Sequence, residues 1–175
     1  MMYLDYNATA PMRDDVLDYM VASSKDVRNA MSLHHHGRKA RVALDVARDL
    51  LRTSLEFPKA EVIYTSGGTE ADNLAIFGFA RRAKKERGCN HIVLSPWEHP
   101  AVVEPILALR REGFDIDYLP VEADGRLKVG GLDGLIGPRT ALVAVMLAQN
   151  ETGLLLDVAS VAARCQAVGA HLHCD

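Results

Sequence analysis

Cysteine is scarce: Cys89, Cys165 and Cys174 are the only three in 175 residues, and none stands in the C-x-x-C spacing of a zinc or redox site. That excludes the disulfide scaffold of small secreted domains and favours a reducing, cytoplasmic setting. No stretch approaches the roughly 20 apolar residues that a membrane span needs. The opening MMYLDYNATAP has no basic region followed by an apolar one, so neither insertion nor export is expected. An excess of positive charge is missing too. The formal net charge is -3 and the basic residues are dispersed apart from Arg81-Arg82 and Lys84-Lys85, so nothing calls for nucleic acid. Internal repeats, low-complexity segments and linker-like stretches are absent, which leaves residues 1–175 as a single α/β domain, cut short.

What remains is an ordinary globular composition, 49% hydrophobic and 25% charged, able to bury a sizeable core. Ala40, Ala43, Leu44, Ala47, Leu50 and Leu51 follow helical spacing and predict an amphipathic helix from Arg38 to about Leu55. Residues 61–65 (EVIYT) read as a short strand, followed by Ser66-Gly67-Gly68 and a helix from Thr69 to about Lys85 closed by Gly88. The unit recurs as strand 91–95 (HIVLS), helix 100–112 ended by Gly113, and strand 115–121. After a glycine-rich stretch at 129–137, the run 140–147 (TALVAVML) fits a central strand buried on both faces. A helix at 157–168 and a last strand, 170–175 (AHLHCD), complete the pattern. Alternation of this kind predicts a mainly parallel sheet flanked by helices.

Four polar clusters fall at or just after strand ends: Ser66 to Thr69, Glu98-His99, Gln149-Asn150-Glu151, and Asp175. Ligands of open parallel sheets bind outside the carboxyl ends of the strands, so the four could share one crevice. In the first cluster two glycines let a ligand approach the backbone, and the following helix aims unpaired N–H groups at it, as a phosphate cradle requires. The plainer reading is a glycine turn with Thr69 and Asp72 as a variant capping box. It is neither G-x-G-x-x-G nor a P-loop with its lysine, which weakens dinucleotide and nucleoside-triphosphate binding.

His99 precedes Pro100, a favoured first helical residue, so its imidazole would sit at a helix entrance able to stack on a planar group and exchange protons. The Asn150 amide could donate to a phenolic oxygen, and the Asp175 carboxylate could pair with a ring nitrogen. Taken singly, each has a plain structural alternative: a lone histidine, a loop-capping Asn, a solvated acid. His34-His35-His36 lacks partner ligands at metal spacing, His171 and His173 read as packing or surface residues, and Cys165 reads as core.

These motifs together resemble a known family. YLDYNATAP, NAMSLHHHG, TSGGTEADNLA, EHPAV, LAQNETG and HCD stand in the order and approximate spacing of the cysteine desulfurases of the class V aminotransferase group. The resemblance implies an incomplete large domain of the aspartate-aminotransferase type (fold type I of the pyridoxal-phosphate enzymes), a homodimer, and pyridoxal 5′-phosphate as cofactor. It implies that Gly68 and Thr69 hold the phosphate, His99 stacks on the ring as the catalytic residue, Asn150 bonds the phenolic oxygen and Asp175 pairs with the pyridine nitrogen. It implies L-cysteine as substrate, alanine as product, and sulfur passed through an enzyme persulfide to an acceptor such as an iron–sulfur scaffold protein.

The family's cofactor-bearing lysine, persulfide cysteine and substrate-carboxylate arginine would lie beyond Asp175, so no sulfide release is expected from the 175 residues alone. Lys84, Lys85 and Lys128 do not suit the lysine's place. One departure is visible: Asn29-Ala30-Met31-Ser32 stands where the family commonly has Asn-Pro-Ser-Ser, and losing the proline makes that loop less rigid. A selenocysteine lyase, a non-catalytic fragment that binds a cofactor or a partner, and a nucleotide-dependent oxidoreductase are the alternatives.

Overall fold

The computed structural model describes residues 2–6, 8–25 and 28–175, so Asn7 of the YLDYNATAP motif lies outside the described residues. Two compact units divide the chain, Met1–Tyr64 and Thr65–Asp175.

The first unit carries helices α1 (Asp14–Ser24) and α2 (His35–Ser54). α2 begins at His35, before the expected Arg38, because His34 caps it: its Nδ1 accepts the Gly37 N–H at 3.2 Å. Gly37 is required by space, since a Cβ there would stand 2.1 Å from the Ser32 carbonyl oxygen. On the polar side, Asp45 pairs with Arg48 at 3.0 Å and Asp49 with Arg52 at 2.9 Å. The apolar stripe forms as spacing predicts yet stays open, with Leu50 63% accessible. The expected strand at 61–65 does not form. A β-rich run needs a neighbour for its backbone ladder, and here Ile63 and Tyr64 are exposed and unladdered.

The second unit opens with α3 (Gly68–Arg87) and alternates through β1 (His91–Leu94), α4 (Pro100–Leu109), β2 (Asp115–Tyr118), α5 (Leu132–Leu135), β3 (Thr140–Ala144), α6 (Val158–Val168) and β4 (His171–His173). The helices end where left-handed glycines release the chain: Gly88 has φ 70°, and Gly113, after one 3-10 turn at Arg110–Glu112, has φ 79°. The four strands lie in the order β2-β1-β3-β4 and every pair is parallel. The chain therefore steps outward from β1 to β2, then returns to the other side of β1 as β3. That reversal leaves a topological switch point between the carboxyl ends of β1 and β3.

Period-two alternation explains why the central strands are apolar throughout. Ile92, Leu94, Leu142 and Ala144 pack with Ile76 and Ala80 of α3 and Val102 and Ile106 of α4. Val93 and Val143 face the opposite layer, with Ile136 and with Val161 of α6. Each fully buried aliphatic side chain contributes about 1.5–3 kcal/mol, so the two layers hold β1 and β3 firmly. At the amino ends of the strands, buried His91 bridges Thr140 Oγ1 at 3.0 Å and Asp117 Oδ2 at 3.1 Å. Cys165 is core as expected, and burial pushes its thiol up to about 11. Among the described residues no helix is long and apolar enough to cross a membrane, and no cluster suited to a metal is present.

Candidate functional site

α3 starts at Gly68, and its first turn-to-turn bond runs from the Ala71 N–H to the Gly67 oxygen at 3.1 Å. The N–H groups of Gly68, Thr69 and Glu70 precede that bond and point out of the helix start. A Cβ on Gly67 or Gly68 would meet nothing within 4 Å, so the space around this helix start is open. The capping box differs from the one the sequence suggested. Glu70, not Asp72, reaches back: its Oε2 accepts from the Ser66 N–H at 2.7 Å and the Ser66 hydroxyl at 2.5 Å. Those bonds hold the Glu70 carboxyl below the usual carboxylate range and occupy the Ser66 hydroxyl.

His99 is the N-cap of α4, its Nδ1 accepting the Ala101 N–H at 3.1 Å, with Pro100 as first helical residue. With Nδ1 engaged as acceptor, neutral His99 carries its hydrogen on Nε2, the nitrogen left to exchange a proton. Thr69 and His99, far apart in sequence, line one open cleft of about 520 Å³ together with Asn73, Phe77 and Glu104.

Glu98 was read only as part of the His99 cluster, and the structure gives it a distinct place. It is buried at the switch point, where Oε1 accepts from the Ser95 hydroxyl and from the Met146 N–H, both at 2.7 Å. One carboxyl oxygen thus ties the end of β1 to the end of β3. Its other oxygen, Oε2, is buried without a hydrogen-bond partner. Burial raises the Glu98 pKa above the usual range, the two hydrogen bonds oppose the rise, and the charges of Asp175 and Asp72 reinforce it.

The reading of His173 as packing or surface missed a buried acid. His173 Nε2 lies 3.2 Å from Oδ1 of Asp72, in ion-pair range though off the line of a hydrogen bond, and both side chains are nearly closed off from solvent. Burial and the Asp175 charge raise the proton affinity of Asp72, while His173 and His99 lower it. Asp72, Glu98 and Asp175 therefore form an acidic group beside two imidazoles, an environment that favours a cation against it. No periodicity could have revealed this, because the partners come from α3, β1 and β4.

Asp175 follows β4 and is exposed, within electrostatic reach of Asp72 and Glu98. Asn150 stands in a separate turn, its amide donating to Glu151 Oε1 at 3.1 Å, while Gln149 Oε1 gathers the N–H groups of Glu151 and Thr152. The cleft that joins Thr69 to His99 is not lined by Asn150 or Asp175. Lys84 is held toward the amino end of β2, away from the carboxyl ends, over the Phe114 ring and bonded to the Glu112 carbonyl.

The model of the aminotransferase class-V family matches residues 2–175. The chain belongs to the class-V aminotransferase family. It is 37% identical to the cysteine desulfurase IscS of Dictyoglomus turgidum over 99% of this chain and 44% of that protein. It is 34% identical to the cysteine desulfurase IscS of Vibrio cholerae, again over 99% of this chain and 44% of the relative. Among solved structures, a NifS-like protein superposes with a TM-score of 0.89 at 31% identity, covering 99% of this chain and 48% of the other. The protein SspA, solved in complex with cysteine, also gives 0.89, at 28% identity over 100% of this chain and 50% of the other. This class-V chain thus spans somewhat under half the length of the curated relatives it matches. Its parallel sheet with flanking helices is part of the fold those neighbours share, the large domain of the fold-type-I pyridoxal-phosphate enzymes.

Proposed function

We propose that the chain holds pyridoxal 5′-phosphate at the carboxyl ends of its strands, as part of a cysteine desulfurase acting on L-cysteine. The open donors of Gly68 and Thr69 fit a phosphate, and the acidic group of Asp72, Glu98 and Asp175, with Glu98 Oε2 buried and without a hydrogen-bond partner, fits a ring that carries a protonated nitrogen. When bound, that cofactor supplies an electron sink for the charge left as a Cα proton departs.

The chain's own residues divide the remaining work. Gly68 and Thr69 grip the phosphate. His99 stacks on the ring and passes a proton at Nε2, the nitrogen its capping bond leaves free. Asp175 keeps the ring nitrogen protonated, and the Asn150 amide donates to the phenolic oxygen once it turns from Glu151. The observation that carries this reading is the single cleft lined by Thr69 of one helix start and His99 of the next. The names of the relatives, and a neighbour solved with cysteine, support L-cysteine as substrate. On the same reading the protein works as a cytoplasmic homodimer and delivers sulfur to an acceptor such as an iron–sulfur scaffold.

The test is calorimetric titration of the chain with pyridoxal 5′-phosphate and with pyridoxal, which lacks the phosphate. The phosphate ester is expected to bind more tightly, by at least about tenfold for charge-assisted hydrogen bonds. His99→Asn, which keeps a helix cap but removes the stacking imidazole, is expected to weaken both ligands without lowering the melting temperature. Equal binding of the two ligands by the unaltered chain would refute the assignment of the phosphate end.

A further inference from the structure

His171 and His173 alternate along β4 and both turn to α3. The His171 ring packs on Phe79 at 4.5 Å between centroids, and His173 Nε2 meets Asp72 Oδ1 at 3.2 Å. Asp72 and Phe79 lie two helical turns apart on one face of α3, so the strand is laid along the helix with its carboxyl end at the helix's amino end. Asp72 sits one turn into α3, just past the open donors of Gly68 and Thr69, and His173 sits two residues before Asp175.

We infer that Asp72 and His173 are a pair of positioning residues that clip the first turn of α3 to the end of β4, and so set the span between the Gly68–Thr69 turn and Asp175. This rests on the site proposed above. The two anchors belong to separate elements, joined in sequence only through the whole length of the unit, and a ligand gripped at both ends needs their separation fixed to a fraction of an ångström. A buried carboxyl beside a buried imidazole is costly unless the two face each other, which makes the pair a strong determinant of how the elements sit. The groups around it come from every neighbouring element: Asp72 from α3, His173 and Asp175 from β4 and its end, His99 from the cap of α4, and Glu98 from the end of β1. Asp72 feels Asp175 as well as His173, as a clip placed beside the anchor must.

A merely structural pair would weaken every ligand alike as the fold loosens. The experiment is a double-mutant cycle of Asp72→Asn and His173→Gln, read by calorimetry with pyridoxal 5′-phosphate, which spans both anchors, and with inorganic phosphate, which uses one. Each single variant is expected to weaken pyridoxal 5′-phosphate by about tenfold and inorganic phosphate by less than about twofold, with the double variant no worse than the singles. Parallel losses for both ligands, additive losses, or unchanged affinity for pyridoxal 5′-phosphate would overturn the clip. Failure of the site reading looks different, since the unaltered chain would then bind pyridoxal 5′-phosphate no better than inorganic phosphate. In that event a ligand-free measurement decides. Either variant is expected to move the side-chain carboxyl carbon resonance of Asp175 and the amide resonances of Gly68 and Thr69, while those of His91 and Thr140 stay in place. An unmoved Asp175 resonance refutes the inference without any ligand.

Discussion

Glu98 offers the most direct test of how the switch point is held. Its Oε1 accepts two hydrogen bonds at 2.7 Å, from Ser95 and Met146, and only 8% of the residue is accessible. Glu98→Ala leaves the Met146 N–H buried and unpaired, a loss of about 1–3 kcal/mol, and opens a void beside it, so a total of about 2–4 kcal/mol is expected. Glu98→Gln keeps an acceptor oxygen in the same place and cannot ionise.

The sign of the pH dependence follows from the direction of the shift. Glu98 is a weaker acid when folded than when unfolded, chiefly because it is buried. The folded state therefore binds its proton more tightly, and the stability this contributes is present below the unfolded pKa and lost as pH rises through the folded one. Glu98→Gln escapes that loss. Gln should therefore gain on the natural residue between about pH 5 and about pH 8, by about 1.4 kcal/mol for each tenfold weakening of the acid. Asp72 shifts in the same direction and is common to both proteins, so its own burial cancels in the difference, which reports Glu98 together with its coupling to Asp72 and Asp175. Urea unfolding of the three proteins at both pH values measures it. A Gln advantage that shrinks with rising pH, or an Ala variant as stable as the Gln variant, would refute the reasoning.

At the opposite ends of the strands, His91→Ala removes one of the two partners of the buried Thr140 hydroxyl, which keeps the Gly137 N–H, and should cost about 1–3 kcal/mol in urea unfolding. It should leave pyridoxal 5′-phosphate affinity unchanged in calorimetry, because the proposed site lies at the carboxyl ends. In the first unit, Gly37→Ala places a Cβ 2.1 Å from the Ser32 oxygen, a clash the helix start must move to relieve. A loss of about 1–3 kcal/mol in local stability is expected there, visible as faster amide exchange over residues 34–38. Unchanged exchange would show that the loop gives way freely.

Local chemistry was enough to read most elements from the chain alone. Helix ends were written in Gly88, Gly113 and Pro100, because a left-handed glycine or a proline acts on its own backbone wherever the rest of the molecule lies. The doubly buried β3 was legible in TALVA, because a strand covered on both faces has no polar side to show. The family motifs likewise marked Thr69 and His99 before any geometry was known, and the structure brought those two into one cleft. Tertiary structure alone decided the rest. EVIYT has strand chemistry but pairs with no strand among the described residues, and strand formation is a property of pairs. Glu98 joining β1 to β3, and Asp72 meeting His173, depend on the order β2-β1-β3-β4. Periodicity tells which face a residue takes on its own element. It carries no information about which elements become neighbours, and a buried polar pair exists only once they have.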